Sequence, residues 1–112
     1  MLRKSLLLIM FFAGAAIADT GLDAVKALGQ LNGEALACQQ MALVERIRML
    51  IIYDAPKTRE VGEAFEAATT ERFLALGESK ASCSDTKALA GRIEETSQAL
   101  RAIYAEAMGR KP

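Results

Sequence analysis

The chain has 112 residues, with 14 basic and 14 acidic side chains, 52% apolar residues and 25% charged ones, a length and balance that fit one folded domain of ordinary size. It holds no histidine and no tryptophan, which excludes Ser-His-Asp and Cys-His catalysis and every histidine-bearing zinc site. No surplus of Lys and Arg is present to neutralise phosphates, so nucleic acid is not an expected partner, and the apolar content speaks against a disordered chain.

Residues 1–18 carry Arg3 and Lys4, then the apolar run Leu6 to Phe12, then small residues ending in Ala16-Ile17-Ala18. That is the layout of a secretory signal, with an apolar stretch too short to cross a bilayer and cleavage expected after Ala18. The alternative is an uncleaved anchor. A lipoprotein signal is not expected, because Asn32 and Glu34 interrupt the stretch before Cys38. Loss of Arg3 and Lys4 leaves 12 basic against 14 acidic residues in one domain, 19–112, expected in the periplasm or secreted.

Alanine, leucine, glutamate and arginine dominate, and no stretch alternates apolar with polar residues over a strand's length, so the expected fold class is all-α. The first helical stretch is predicted from about Leu22 to Tyr53, with Leu22, Val25, Leu28, Ala35, Cys38, Ala42, Ile47 and Leu50 turned inward. Gly29, Asn32 and Gly33 weaken its middle, so it is expected either as one helix or as a short helix followed by a longer one beginning near Glu34. Gly29, Gly33 and Ala37 recur every fourth residue and make a shallow groove, expected to receive a neighbouring helix of the same chain, or a dimer partner.

Asp54-Ala55-Pro56 ends this stretch, since proline disfavours helical geometry at Ala55, and Asp54 is expected to cap the next helix. That helix is predicted from about Pro56 to Leu76, with Val61, Phe65, Ala68, Phe73 and Leu76 inside and Gly77 at its C-terminal end. A loop to Cys83 follows. Ser84 or Asp85 caps a last helix, expected to reach about Met108 through Leu89, Ile93, Leu100, Ile103 and Ala107, before a frayed tail.

An exported chain with two cysteines has one intramolecular pairing available, Cys38 to Cys83, 45 residues apart. Closing such a loop is worth roughly 4 kcal/mol in the chain-entropy account, which makes the crosslink structural; redox pairs sit close together as Cys-x-x-Cys. The predicted architecture is a small up-and-down bundle of three to four helices stapled by this disulfide. In it the second helix runs antiparallel to the first, overshoots the height of Cys38, and the loop after Gly77 folds back to bring Cys83 beside it.

Functional candidates are few. Glu60, Glu63 and Glu66 are spaced by three, but Lys57 and Arg59 stand close enough for ion pairs on a wetted face, and Glu94 and Glu95 read the same way. Met41 and Met49 lack the clustering of a copper site and are expected in the core. Ser84 and Lys87 share the spacing of a lysine-assisted nucleophile, yet serine is an ordinary helix cap there. No catalytic residue, cofactor or metal ligand is assigned.

The most suggestive segment is Met49-Leu50-Ile51-Ile52-Tyr53, because five consecutive apolar residues cover a helix circumference that a small core buries only in part. Met49, Ile52 and Tyr53, rimmed by Lys57 and Arg59, are the expected partner-binding residues. The alternative is that Leu22 to Gln30 cover them. An export signal, a cysteine in the first long helix and a second cysteine before the last helix resemble the layout of several groups of small periplasmic helical proteins, among them acid-stress chaperones, secretion pilotins and effector-immunity proteins. These readings lead to a non-enzymatic exported protein that works by contact with another protein, as an accessory subunit, chaperone or inhibitor. The alternative is a carrier of an apolar small molecule held between helices. The protein partner is unidentified, and a homodimer is compatible with the reading.

Overall fold

A computed structural model describes residues 13–79, 82–105, 107 and 109. The charged and apolar parts of the expected export signal, the expected helix end at Met108 and the tail from Arg110 lie outside the described residues. The described residues form four helices and no strand: α1 (Ala13–Ala37), α2 (Met41–Asp54), α3 (Arg59–Ser79) and α4 (Thr86–Tyr104). They make an up-and-down bundle closed by the Cys38–Cys83 disulfide, whose Cα atoms lie 5.8 Å apart.

The break in the first helical stretch falls at Cys38-Gln39-Gln40 and not at the glycines, which sit inside the continuous helix α1. Gln39 takes φ +57°, the left-handed conformation that commonly ends a helix. The Gln40 N–H then donates to the Ala35 carbonyl at 2.8 Å and the Gln39 N–H to that of Leu36 at 3.2 Å, the paired bonds of a Schellman end. Glycine is the usual residue there, and glutamine costs on the order of 1 kcal/mol more. The disulfide adjoins this turn and joins Cys38 to the loop that leads into α4.

The early reversal changes the helix neighbours. α1 and α2 run antiparallel, and the expected pairing of one 22–53 helix with an antiparallel second helix does not occur. α1 and α3 run parallel, because Gly29 meets Phe65 and Ala68 while Gly33, one turn on, meets Thr69 and Arg72. α4 returns antiparallel to α1, ending where Tyr104 lies against Gly21. Burial raises the pKa of the Tyr104 phenol above its usual value, with Glu60 adding to the effect.

Val25, Leu28, Leu31 and Ala35 of α1 meet Leu43, Ile47 and Leu50 of α2 and Leu89, Ile93 and Leu100 of α4 in one core. At about 1.5–3 kcal/mol per fully buried large apolar side chain, these positions carry most of the stability. Among the described residues α3 adds only Val61 to the buried core, with Ala64 and Phe65 packed against it. Its attachment rests on close approach to α1. A Cβ on Gly33 would stand 2.5 Å from the Thr69 carbonyl oxygen, and one on Gly29 2.7 Å from that of Phe65. The small-residue groove is thus filled from within the chain, as expected.

Asn32 pins this crossing: its Nδ2 donates to Thr69 Oγ1 at 3.2 Å, and Thr69 Oγ1 donates to the Phe65 carbonyl at 2.8 Å. Phe73, expected inside, is 45% exposed. α3 packs almost wholly on α1 and turns Val61, Phe65, Ala68 and Thr69 toward it, so Phe73 and Leu74 fall where no second helix covers them. Ala42, also expected inside, is exposed.

Helix ends follow local chemistry. Ala55 is extended at φ −118°, ψ 151° before Pro56, as predicted. Asp54 does not cap α3: it is the last residue of α2, buried, and Arg101 Nε donates to its Oδ2 at 3.1 Å. The cap comes from Thr58, whose Oγ1 accepts from the Val61 N–H at 3.2 Å. α3 continues through Gly77 to Ser79. Asp85 caps α4, its Oδ1 accepting from the Ala88 N–H at 2.7 Å, and α4 stops at Tyr104, leaving Ala107 exposed on a turn.

Candidate functional site

The outward side of α2 follows from its inward side. Leu43, Ile47, Leu50 and Asp54 recur at intervals of three and four and are buried, a stripe that spans one face of a helix. Met41, Met49, Ile52 and Tyr53 are therefore left outside, at 58, 43, 42 and 59% exposure. The core placement expected for Met41 and Met49 is not found, because neither lies on that stripe. Of the five-residue apolar run, Leu50 is buried and Ile51 packs against the core, while Met49, Ile52 and Tyr53 remain uncovered. Lys57 and Arg59 are exposed just beyond them in sequence.

Beside this surface an open groove of about 440 Å³ runs between α2 and α4, lined by Arg46, Met49, Leu50, Tyr53, Asp54 and Arg101. Two cations edge it. Arg101 is held by Asp54, and Arg46 pairs with Glu94. A surface that combines methionine, tyrosine and arginine has the composition enriched where proteins meet. Arg46, Asp54 and Arg101 escape sequence reasoning, although Asp54 leaves a signal: it occupies the next inward position after Leu43, Ile47 and Leu50, where a carboxylate demands a cationic partner.

A second cluster is tighter and structural in character. Glu34 of α1 is 5% exposed and accepts from Arg92 Nη2 of α4 at 2.6 Å and from Arg72 Nη2 of α3 at 3.4 Å. Burial pushes its carboxyl up, but hydrogen bonds and charge from Arg92, with Ser84 and Arg72, outweigh burial and hold its pKa below 4.5. Arg92 Nη2 also donates to Ser84 Oγ at 2.9 Å, tying the residue after Cys83 to the cluster. One carboxylate thus joins three helices and the disulfide loop. The adjoining concavity, about 380 Å³, is edged by Gln30, Glu34, Arg72, Arg92 and Glu95.

Glu60, Glu63 and Glu66 stand exposed along α3, and Glu95 is exposed on α4. Among the described residues no group of three or more Cys, Asp or Glu is placed to hold a metal ion, and no helix is long and apolar enough to cross a membrane. At Gly29 and Gly33 the α3 backbone fills the small-residue groove of α1. No family model, curated protein or solved structure matches this chain, so geometry alone supports a functional reading.

Proposed function

We propose that this is an exported, periplasmic or secreted, non-enzymatic protein that acts by contact with another protein, as an accessory subunit, a chaperone or an inhibitor. The observation that carries the reading is the exposure of Met49, Ile52 and Tyr53 together on one end of α2, beside a groove edged by Arg46 and Arg101. Large apolar side chains grouped and rimmed by cations gain most when a partner removes them from water, at about 25 cal/mol per Å² buried. Lys57 and Arg59, exposed just after Tyr53 in sequence, add positive charge that favours a partner with an acidic border. The disulfide supports the compartment, since such bonds persist where the surroundings are oxidising.

The test is affinity capture from a periplasmic extract with the intact protein and with Met49→Ser/Ile52→Ser/Tyr53→Ser. These side chains are exposed, so the variant should fold with an unchanged melting temperature and lose a protein that the wild type retains. Equal capture by both proteins removes the α2 surface from the reading.

A further inference from the structure

The outer side of α2 carries a second pattern beside its apolar end. Met41, Glu45, Arg48 and Ile52 follow one another at intervals of four, three and four residues, the spacing at which two helices pack along a seam. All four are exposed, and none belongs to the inward stripe of Leu43, Ile47 and Leu50. The core already occupies the other side of the helix, and among the described residues no element lies over this seam.

The order of the four residues selects that molecule. From the opposite direction the series reads Ile52, Arg48, Glu45, Met41: apolar, cation, anion, apolar. Laid antiparallel against an identical helix, with the two-fold axis between Arg46 and Ile47, α2 sets Met41 against Ile52 of the partner subunit. The same register sets Glu45 against Arg48 of the partner subunit, and symmetry repeats both contacts. A parallel, in-register pairing would instead stack glutamate on glutamate and arginine on arginine. We infer that a second copy of this chain docks on α2 through this antiparallel, self-complementary seam.

Such an interface is isologous and closes at two subunits. Within one copy Arg48 Nη1 already lies 3.4 Å from Glu45 Oε2, with both side chains more than half exposed, so pairing across the axis draws on charges that water now screens. Exposed Met49 flanks the seam near the small Ala42 of the partner subunit. A helix of 14 residues is about 21 Å long and offers four layers, less than a standard interface, so the dissociation constant is expected on the order of micromolar. The inference rests on α2 being a contact surface, and it names the occupant of its central part.

Sedimentation equilibrium of the disulfide-bonded protein, from about 1 to 500 μM to span that constant, reads the answer. The wild type is expected to pass from monomer to dimer. Glu45→Arg and Arg48→Glu each place like charges across the axis twice and should weaken self-association by roughly tenfold or more. An equimolar mixture of the two variants should form a mixed dimer, and Glu45→Arg/Arg48→Glu in one chain should restore self-association. Wild type that stays monomeric throughout, single variants that dimerise like wild type, or a mixture that stays monomeric would each overturn the inference. If the chain is monomeric while Met49, Ile52 and Tyr53 still govern capture of another protein, self-pairing falls and the wider contact reading stands. Dimerisation that follows the charge swaps with no other protein captured leaves the reverse.

Discussion

Replacing Gly33 by alanine sets two effects of opposite sign against each other. Alanine in a helix interior is favoured over glycine by about 1 kcal/mol through backbone entropy alone. At Gly33, however, the new Cβ would lie 2.5 Å from the Thr69 carbonyl oxygen, 2.9 Å from the Phe73 backbone nitrogen and 2.9 Å from Arg72 Cβ. Two of these three atoms are backbone, so no rotamer change relieves the clash. The α3 axis must retreat by about 0.9 Å for the carbonyl to reach ordinary contact near 3.4 Å, which loosens Asn32–Thr69 and the Val61 and Phe65 packing together. Overpacking costs typically 1–3 kcal/mol; with backbone on both sides the upper part of that range applies, leaving a net destabilisation of about 1–2 kcal/mol. Gly62, Gly77 and Gly91 are the controls. A Cβ at each meets nothing within 4 Å, so alanine there should stabilise by roughly 0.5–1 kcal/mol. Urea unfolding of the oxidised protein, followed by far-ultraviolet circular dichroism, measures all four. If Gly33→Ala is as stabilising as Gly62→Ala, the close parallel packing of α1 and α3 is wrong.

Two further outcomes follow from the Glu34 cluster and the disulfide near the C-terminal end of α1. Glu34 has a lowered pKa in the folded chain, so its stabilisation is complete above about pH 4.5 and is lost as pH falls through the folded value. Glu34→Gln should cost about 1.5–3 kcal/mol at neutral pH, from lost charge-assisted bonds to two half-exposed arginines, and the gap to wild type should close on acidification; parallel stability curves from pH 7 to 3 would remove Glu34 from the account. Reduction of Cys38–Cys83, or Cys38→Ser/Cys83→Ser, should lower stability by roughly 4 kcal/mol for its 45-residue separation. A urea midpoint indifferent to reductant would show that the crosslink is not the main restraint on the unfolded chain.

Particular residues show where sequence reasoning reached and where it stopped. Val25, Leu28, Ile47, Leu50, Val61, Leu89, Ile93 and Leu100 were readable as core because a helix repeats its inward side every three to four residues. The Asp85 cap and the extended Ala55 were readable because each depends on its immediate neighbours. The reversal at Gln39 was not, because glutamine in a left-handed conformation leaves no compositional mark, while Gly29 and Gly33 attracted the expected break to themselves. Their use as a groove for a helix of the same chain was legible, but that α3 fills it depends on a segment more than 30 residues away. At the candidate surface, exposure of Ile52 and Tyr53 was legible from an apolar run too long for one face, while Met49 was pointed both to that surface and, as an unclustered methionine, to the core. The groove beside them was not, since it needs Arg101 brought to Asp54 across 47 residues.

An all-helical chain, its inward stripes and its one possible sulfur crosslink were already implied by residue order, since periodicity, capping and cysteine count act locally or admit a single solution. Packing chose the rest: the point of reversal, the parallel partnership of α1 with α3, and the gathering of Arg72 and Arg92 around Glu34 from 38 and 58 residues away. Those choices depend on close fit and charge pairing between distant segments, and neither is written into the local run of residues that makes each helix.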